Sequence, residues 1–182
     1  MANEINEPLT GRKREYHLYP LSTAELVQAS SKLEEQRLLD QRLIYGFYPD
    51  IINRHAQAKP SLMELSDTYL YKHLLTLQEI RKPVLLEKLV TALALQVGSE
   101  VVYHEVAQTI GADSKTAERY IQLLEKCFII FQVSAYSRNL RNEIKKGKKI
   151  YFYDNGIRNA VIKNFNPLPC ARIQVAFGKI LW

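Results

Sequence analysis

At 182 residues, with 47% apolar and 24% charged side chains, the chain has the composition of a folded protein and is too apolar to be intrinsically disordered. That length holds one ordinary domain, or a small domain with an appended helical segment. The net charge of +6 favours a polyanionic partner such as nucleic acid or a membrane surface, although many proteins are this basic and bind neither.

Residues 1–20 do not begin like a domain. Leu9-Thr10-Gly11-Arg12-Lys13-Arg14 reads as a basic turn, and Glu15 to Tyr19 alternates polar and apolar side chains before Pro20, the pattern of one short strand. A lone strand cannot satisfy its own edges and needs sheet partners that this chain does not obviously supply. From Ser22 the period becomes helical. Ser22 with Glu25 three positions on forms a capping box. Leu26, Leu33, Leu38, Leu39, Leu43 and Ile44 follow as apolar helical positions, with a break near Ser30-Ser31. Gly46-Phe47-Tyr48-Pro49-Asp50 interrupts the run, because proline disfavours helix for the residue before it. A further helix is expected from about Ser61 to Glu79, with Leu62, Leu65, Tyr69, Leu70, His73, Leu74 and Leu77 on one broad face, and Pro83 resets the chain.

Residues 84–154 are the most informative. Leu86, Leu89, Val90, Leu93 and Val97 make one buried stripe of a helix ended by Gly98. A second helix, Val102 to Ile110, turns Val102, Val106, Ala107 and Ile110 inward. Gly111 stands where a left-handed turn residue is wanted. Asp113 then caps a third helix with Ala117, Tyr120, Ile121 and Leu124 in the core and Lys115, Thr116, Arg119 and Gln122 outside. This order is a helix-turn-helix, and the small Ala107 lets its two helices cross closely. Phe128 to Ser134 and Lys149 to Tyr153 read as two strands joined by a polar basic loop, Ser137 to Lys148, which makes a winged variant. Leu89, Leu93, Val106, Ile110, Tyr120, Ile121, Leu124, Phe128 and Ile130 are the expected core.

The wing and its edge concentrate the charge. Arg138, Arg141, Lys145, Lys146, Lys148 and Lys149 stand against Glu143 alone, and six cations less one anion leave +5 of the chain's +6. Beside a recognition helix, this is the footprint of phosphate contacts. The competing reading is a solvated hairpin tip that keeps the sheet edge from aggregating. Glu118 and Glu125 share the third helix's outer face with Lys115 and Arg119, so that face suits protein docking as well as DNA.

Signals for catalysis are lacking. The sequence has no GxxxxGK[ST], GxGxxG or GxSxG, and no paired carboxylates stand out. His17, His55, His73 and His104 are scattered, without a second ligand at metal-site spacing. Cys127 and Cys170 are far apart and lie outside any CxxC, which implies neither a zinc site nor a disulfide framework and fits a reducing cytoplasm. Cys127, in an apolar run, reads as a buried inert thiol. No signal peptide and no run of about 18 apolar residues for a membrane span is expected.

Several segments together resemble a family. Leu9-Thr10-Gly11-Arg12-Lys13, Leu18-Tyr19-Pro20-Leu21-Ser22 and Glu25-Leu26 are similar to the last strand of the P-loop domain in a group of predicted prokaryotic AAA-type ATPases. Tyr45-Gly46-Phe47-Tyr48-Pro49 resembles that family's glycine-tyrosine-proline turn. Leu95-Gln96-Val97-Gly98, Arg119 to Glu125, Ser137 to Arg141, and Lys149 to Asp154 with Gly156-Ile157-Arg158-Asn159 extend the likeness to about residues 1–166. The resemblance implies the order ATPase domain, helical linker, winged helix and C-terminal nuclease-like domain, with this chain matching the middle portion only. Walker A and Walker B have no counterpart here, so ATP and magnesium are expected only for the ATPase domain. The resemblance gives Arg12 a nucleotide-sensing role that would need that domain. From Pro169 the tail departs from the pattern, as expected of a gene remnant read out of frame or of a chosen boundary.

The resulting expectation is a mainly α fold with a small β-wing (α+β). Residues 1–20 are the end of an ATPase domain, 21–83 a helical linker, 84–160 a winged helix and 161–182 a non-matching tail. The expected function is a non-catalytic, cytoplasmic module without cofactor or metal. It binds duplex DNA through Lys115, Thr116, Arg119, Gln122, Arg138, Arg141, Lys145, Lys146, Lys148 and Lys149, or it docks against other domains or proteins.

Overall fold

Serine caps cut the N-terminal third into short helices. The structure is a computed structural model that describes residues 16–68, 74, 80, 82–134 and 148–167. The Ser22 hydroxyl accepts from the Glu25 amide while the Glu25 carboxylate accepts from the Ser22 amide, so α1 (Thr23–Ala29) opens on the expected capping box. The break also falls where expected. Ser30 ends α1, and Ser31 caps α2 (Lys32–Arg37) by accepting from the Glu34 amide at 3.2 Å. Then α3 (Leu39–Tyr45) ends at Gly46, which is left-handed at φ +80°, and Pro49 opens α4 (Pro49–Asn53).

Leu26 and Leu43 are buried as expected, but Leu33 and Leu39 are 60% and 39% exposed. The inward place on α2 is taken instead by Glu35, which makes a buried bidentate ion pair with Arg42 of α3, at 3.0 and 2.9 Å. A 3-10 turn, His55–Gln57, leads into α5 (Ala58–Ser66). This helix starts three residues before the expected Ser61. Pro60 sits in its first turn, where an amide would have no intrahelical acceptor, so the ring is tolerated. Leu62 and Leu74 are buried and Leu65 half-buried, whereas Tyr69, Leu70, His73 and Leu77 lie outside the described residues. Tyr16 to Tyr19 form no strand, and no sheet partner meets them among the described residues.

The C-terminal part has the winged helix-turn-helix order. In α6 (Pro83–Leu95), Leu86, Leu89, Val90 and Leu93 are buried and Val97 beyond it is half-buried. The two-residue β1 (Glu100–Val101) was not foreseen. It keeps the chain extended, so burial alternates there. Val101 is 2% exposed, and Val102, expected inward, is 42% exposed at the N-cap of α7 (Tyr103–Ile110). Gly111 turns the chain in the left-handed region (φ +72°), and Asp113 caps α8 (Ser114–Lys126), accepting from the Thr116 amide at 2.9 Å. β2 (Ile130–Val133) and β3 (Lys148–Phe152) follow, and β3 lies between β1 and β2 in an antiparallel sheet. Lys148, expected to close the hairpin loop, is the first residue of β3.

All of the expected core residues are buried except Phe128, which is half-buried with φ +55°. Its ring joins a surface cluster with His17 (5.0 Å), Tyr19 (5.7 Å) and Tyr153 (5.9 Å). Cys127 is also half-buried, and Cys170 lies outside the described residues. A final helix absent from the sequence reading, α9 (Asn155–Val161), packs against α3, α5 and α6. Through Ile157 and Ala160 it joins Ile51, Ala58 and Leu62 to the core of α6–α8, so one apolar cluster crosses the expected boundary at residue 83. Among the described residues no helix is long and apolar enough to cross a membrane, and no group of acids, histidines and cysteines could hold a metal.

Candidate nucleic-acid interface

Five residues of α8 (Ala117, Tyr120, Ile121, Leu123 and Leu124) are buried, which fixes the rotation of the helix and hence what it shows to solvent. Tyr120 is anchored further, because its hydroxyl accepts from the Lys82 amide at 3.2 Å. Lys115, Arg119 and Gln122 are exposed together, as the sequence suggested. Thr116 is not free to read a base. Its hydroxyl donates to Asp113 at 2.6 Å, and that bond together with the Thr116 amide holds the Asp113 carboxyl below its ordinary range. The Arg119 guanidinium lies 5.4 Å from the Tyr120 ring centroid, and Gln122 donates to Glu118 at 3.4 Å. Lys126 is exposed in the last turn of α8 and belongs to the same surface. The 4-3-4 spacing of Lys115, Arg119, Gln122 and Lys126 was its signal in the sequence.

The hairpin divides its lysines. Neighbouring residues of a strand face opposite sides of the sheet. Lys148 lines a groove between α8 and the sheet, whereas Lys149 stands in register with Glu100 and Val133 on the opposite face. Lys148 and Lys149, expected to contact phosphates together, are therefore parted at β3. Arg12, Arg138, Arg141, Lys145 and Lys146 lie outside the described residues.

The groove is open, about 580 Å³, and lined by Tyr103, Glu118, Gln122, Glu125, Gln132, Ser134 and Lys148. A hydrogen-bonded chain crosses it. The Tyr103 hydroxyl donates to the Gln132 side chain at 2.6 Å, and the Gln132 amide groups donate to Glu125 at 2.6 and 3.2 Å. Burial, followed by the charges of Glu118 and Glu125, raises the Tyr103 hydroxyl above its ordinary pKa. This wing-side groove is acidic, which the sequence reading missed because its parts come from α7, α8 and two strands.

Two segments distant in the sequence meet elsewhere. Asp154, buried at the start of α9, accepts from the Phe47 amide at 2.7 Å and from the Ile157 amide at 3.0 Å. A Cβ on Gly46 would collide with that carboxylate, and one on Gly156 with the Tyr45 carbonyl oxygen. Asn159 donates to the Ile44 carbonyl and Arg158 to the Ala94 carbonyl, both at 2.8 Å. The Tyr45-to-Pro49 turn and the Asp154-to-Asn159 segment are thus the two halves of a polar latch. It joins the N-terminal helices to the winged helix.

No solved structure matches the chain. An uncharacterized protein of Haemophilus influenzae is 23% identical over 172 residues, which are 89% of this chain and 43% of that protein. The chain therefore spans less than half the length of this relative. Residues 36–168, encompassing the α8 face and both halves of the latch, match the family described as a domain of unknown function (DUF8612), and the chain belongs to that family.

Proposed function

We propose that residues 84–160 are a nucleic-acid-binding winged helix, and that the chain is the non-catalytic, cytoplasmic middle portion of an AAA-type ATPase. One observation carries the binding reading. A helix pinned by five buried residues after a left-handed glycine turn exposes Lys115, Arg119, Gln122 and Lys126, a set able to contact phosphates and base edges. The ATPase reading rests on the sequence resemblance alone. In this reading ATP and magnesium belong to the ATPase domain, and the chain needs no cofactor of its own.

The test is a titration of labelled duplex DNA at low salt, repeated at higher salt. Affinity should fall by close to 0.9 units of log–log slope per phosphate contact. Replacing Lys145, Lys146, Lys148 and Lys149 together by Ala tests whether the hairpin adds to the α8 contacts, in which case binding to all sequences weakens alike. If that variant and the wild type bind alike at every salt concentration, the hairpin is no DNA contact. The chain should also show no heat of ATP binding in calorimetry, and micromolar affinity would refute the non-catalytic reading. Docking against another domain is the second reading, favoured by the acidic groove and by the exposed Tyr16 and Leu18.

A further inference from the structure

The solvent-facing arc of α8 is sorted by charge. At about 100° per residue, the half-buried Glu125 and the exposed Glu118, Gln122, Lys115, Lys126 and Arg119 follow one another around the helix in that order, across about 120°. Both acids stand at one end of this arc and all three cations at the other. The neighbours identify the two ends. Glu125, Glu118 and Gln122 line the groove toward the sheet, while Arg119 lies over Tyr120, whose hydroxyl is held by the Lys82 amide at the start of α6. The acids are also tied to the protein. Gln132 donates twice to Glu125, and Gln122 donates to Glu118. Phosphates entering the groove would meet two carboxylates, with Lys148 the single cation among its lining residues.

We infer that duplex nucleic acid seats on the edge of α8 nearer α6, with Lys115, Arg119 and Lys126 on phosphates, while the wing-side groove takes no part. This rests on the nucleic-acid reading above and deepens it. It differs from a helix that fills its groove symmetrically with the wing beside it. Lys115 and Lys126 are about 16 Å apart along the helix, far enough for the three cations to meet separate phosphates.

Anisotropy titrations on the whole chain with one labelled duplex, at several salt concentrations, test it. The proteins are the wild type, K115Q/R119Q/K126Q, E118Q/E125Q and K148Q, since glutamine preserves helix propensity and hydrogen bonding. The triple variant should lose about 2.7 units of log–log salt slope, while E118Q/E125Q and K148Q should bind within about twofold of the wild type. Matching circular-dichroism melts show that a loss of binding is not a loss of fold. A roughly tenfold gain for E118Q/E125Q, with weakening by K148Q and none by the triple variant, would place the duplex in the groove and overturn the inference. If the wild type fails to bind any duplex at low salt, the nucleic-acid reading itself falls.

Discussion

The N-terminal helices and the winged helix are held together by different means. From α6 to β3 the structure is a conventional apolar core. Leu89, Leu93, Ile121 and Leu124 on the helices and Ile130 on β2 are at most 1% exposed, and the helices have 8 to 13 residues. From α1 to α4 the helices have only five to seven residues, and α1, α2 and α3 together bury just two leucines, Leu26 and Leu43. Helices this short do not persist on propensity alone. They are fixed by serine caps, by the Glu35–Arg42 pair and by the latch to α9. A region with few apolar positions gains its geometry from directional polar contacts, and such contacts fail differently when broken.

The largest effect should come from Arg42→Ala, which takes the guanidinium from a buried carboxylate. A loss of about 3–5 kcal/mol in urea unfolding is expected. Replacing both partners, Glu35→Leu with Arg42→Met, should recover most of it. A double variant as unstable as the single one would show that packing, not desolvation, decides this site. Leu124→Ala is the matching cut in the apolar region and should cost about 2–5 kcal/mol, without rescue by any second polar change.

The latch predicts a pH dependence. Burial raises the Asp154 carboxyl from 3.8 to about 6 in the folded chain. The folded state therefore holds this proton more tightly than the unfolded state. The group's favourable contribution is complete below about 4 and is lost as pH rises through 6, a change of roughly 3 kcal/mol. The difference in stability between the wild type and Asp154→Asn, measured from pH 4 to 7, should follow that curve. A flat difference would mean that the backbone donors fully offset the cost of burying the charge. The smallest effect belongs to Ser22→Ala, which removes one exposed cap and should cost about 1 kcal/mol. A much larger loss would show that α1 supports more of the N-terminal region than its single buried leucine implies.

Local periodicity made α6, α7 and α8 legible, together with Gly111 at the turn and Asp113 and Ser22 at the caps. Each signal lies within one helical turn of the residue it governs. The candidate site was legible only in part. The shared exposure of Lys115, Arg119 and Gln122 follows from spacing along one helix. The acidic groove does not, because Tyr103, Gln132 and Glu125 meet only once the sheet has formed.

What the sequence by itself determined was the helix-turn-helix order, its buried stripe and the breaks between the short helices, since the 3.6-residue period and capping chemistry act over a few residues. Tertiary structure decided the remainder. β1 exists because Val101 finds Lys148 across the sheet, and Lys148 and Lys149 part because strand pairing fixes their faces. Asp154 becomes a buried latch because Phe47, 107 residues away in the chain, presents an amide to it. Pairing and desolvation depend on which distant segments come together, and no local pattern encodes that.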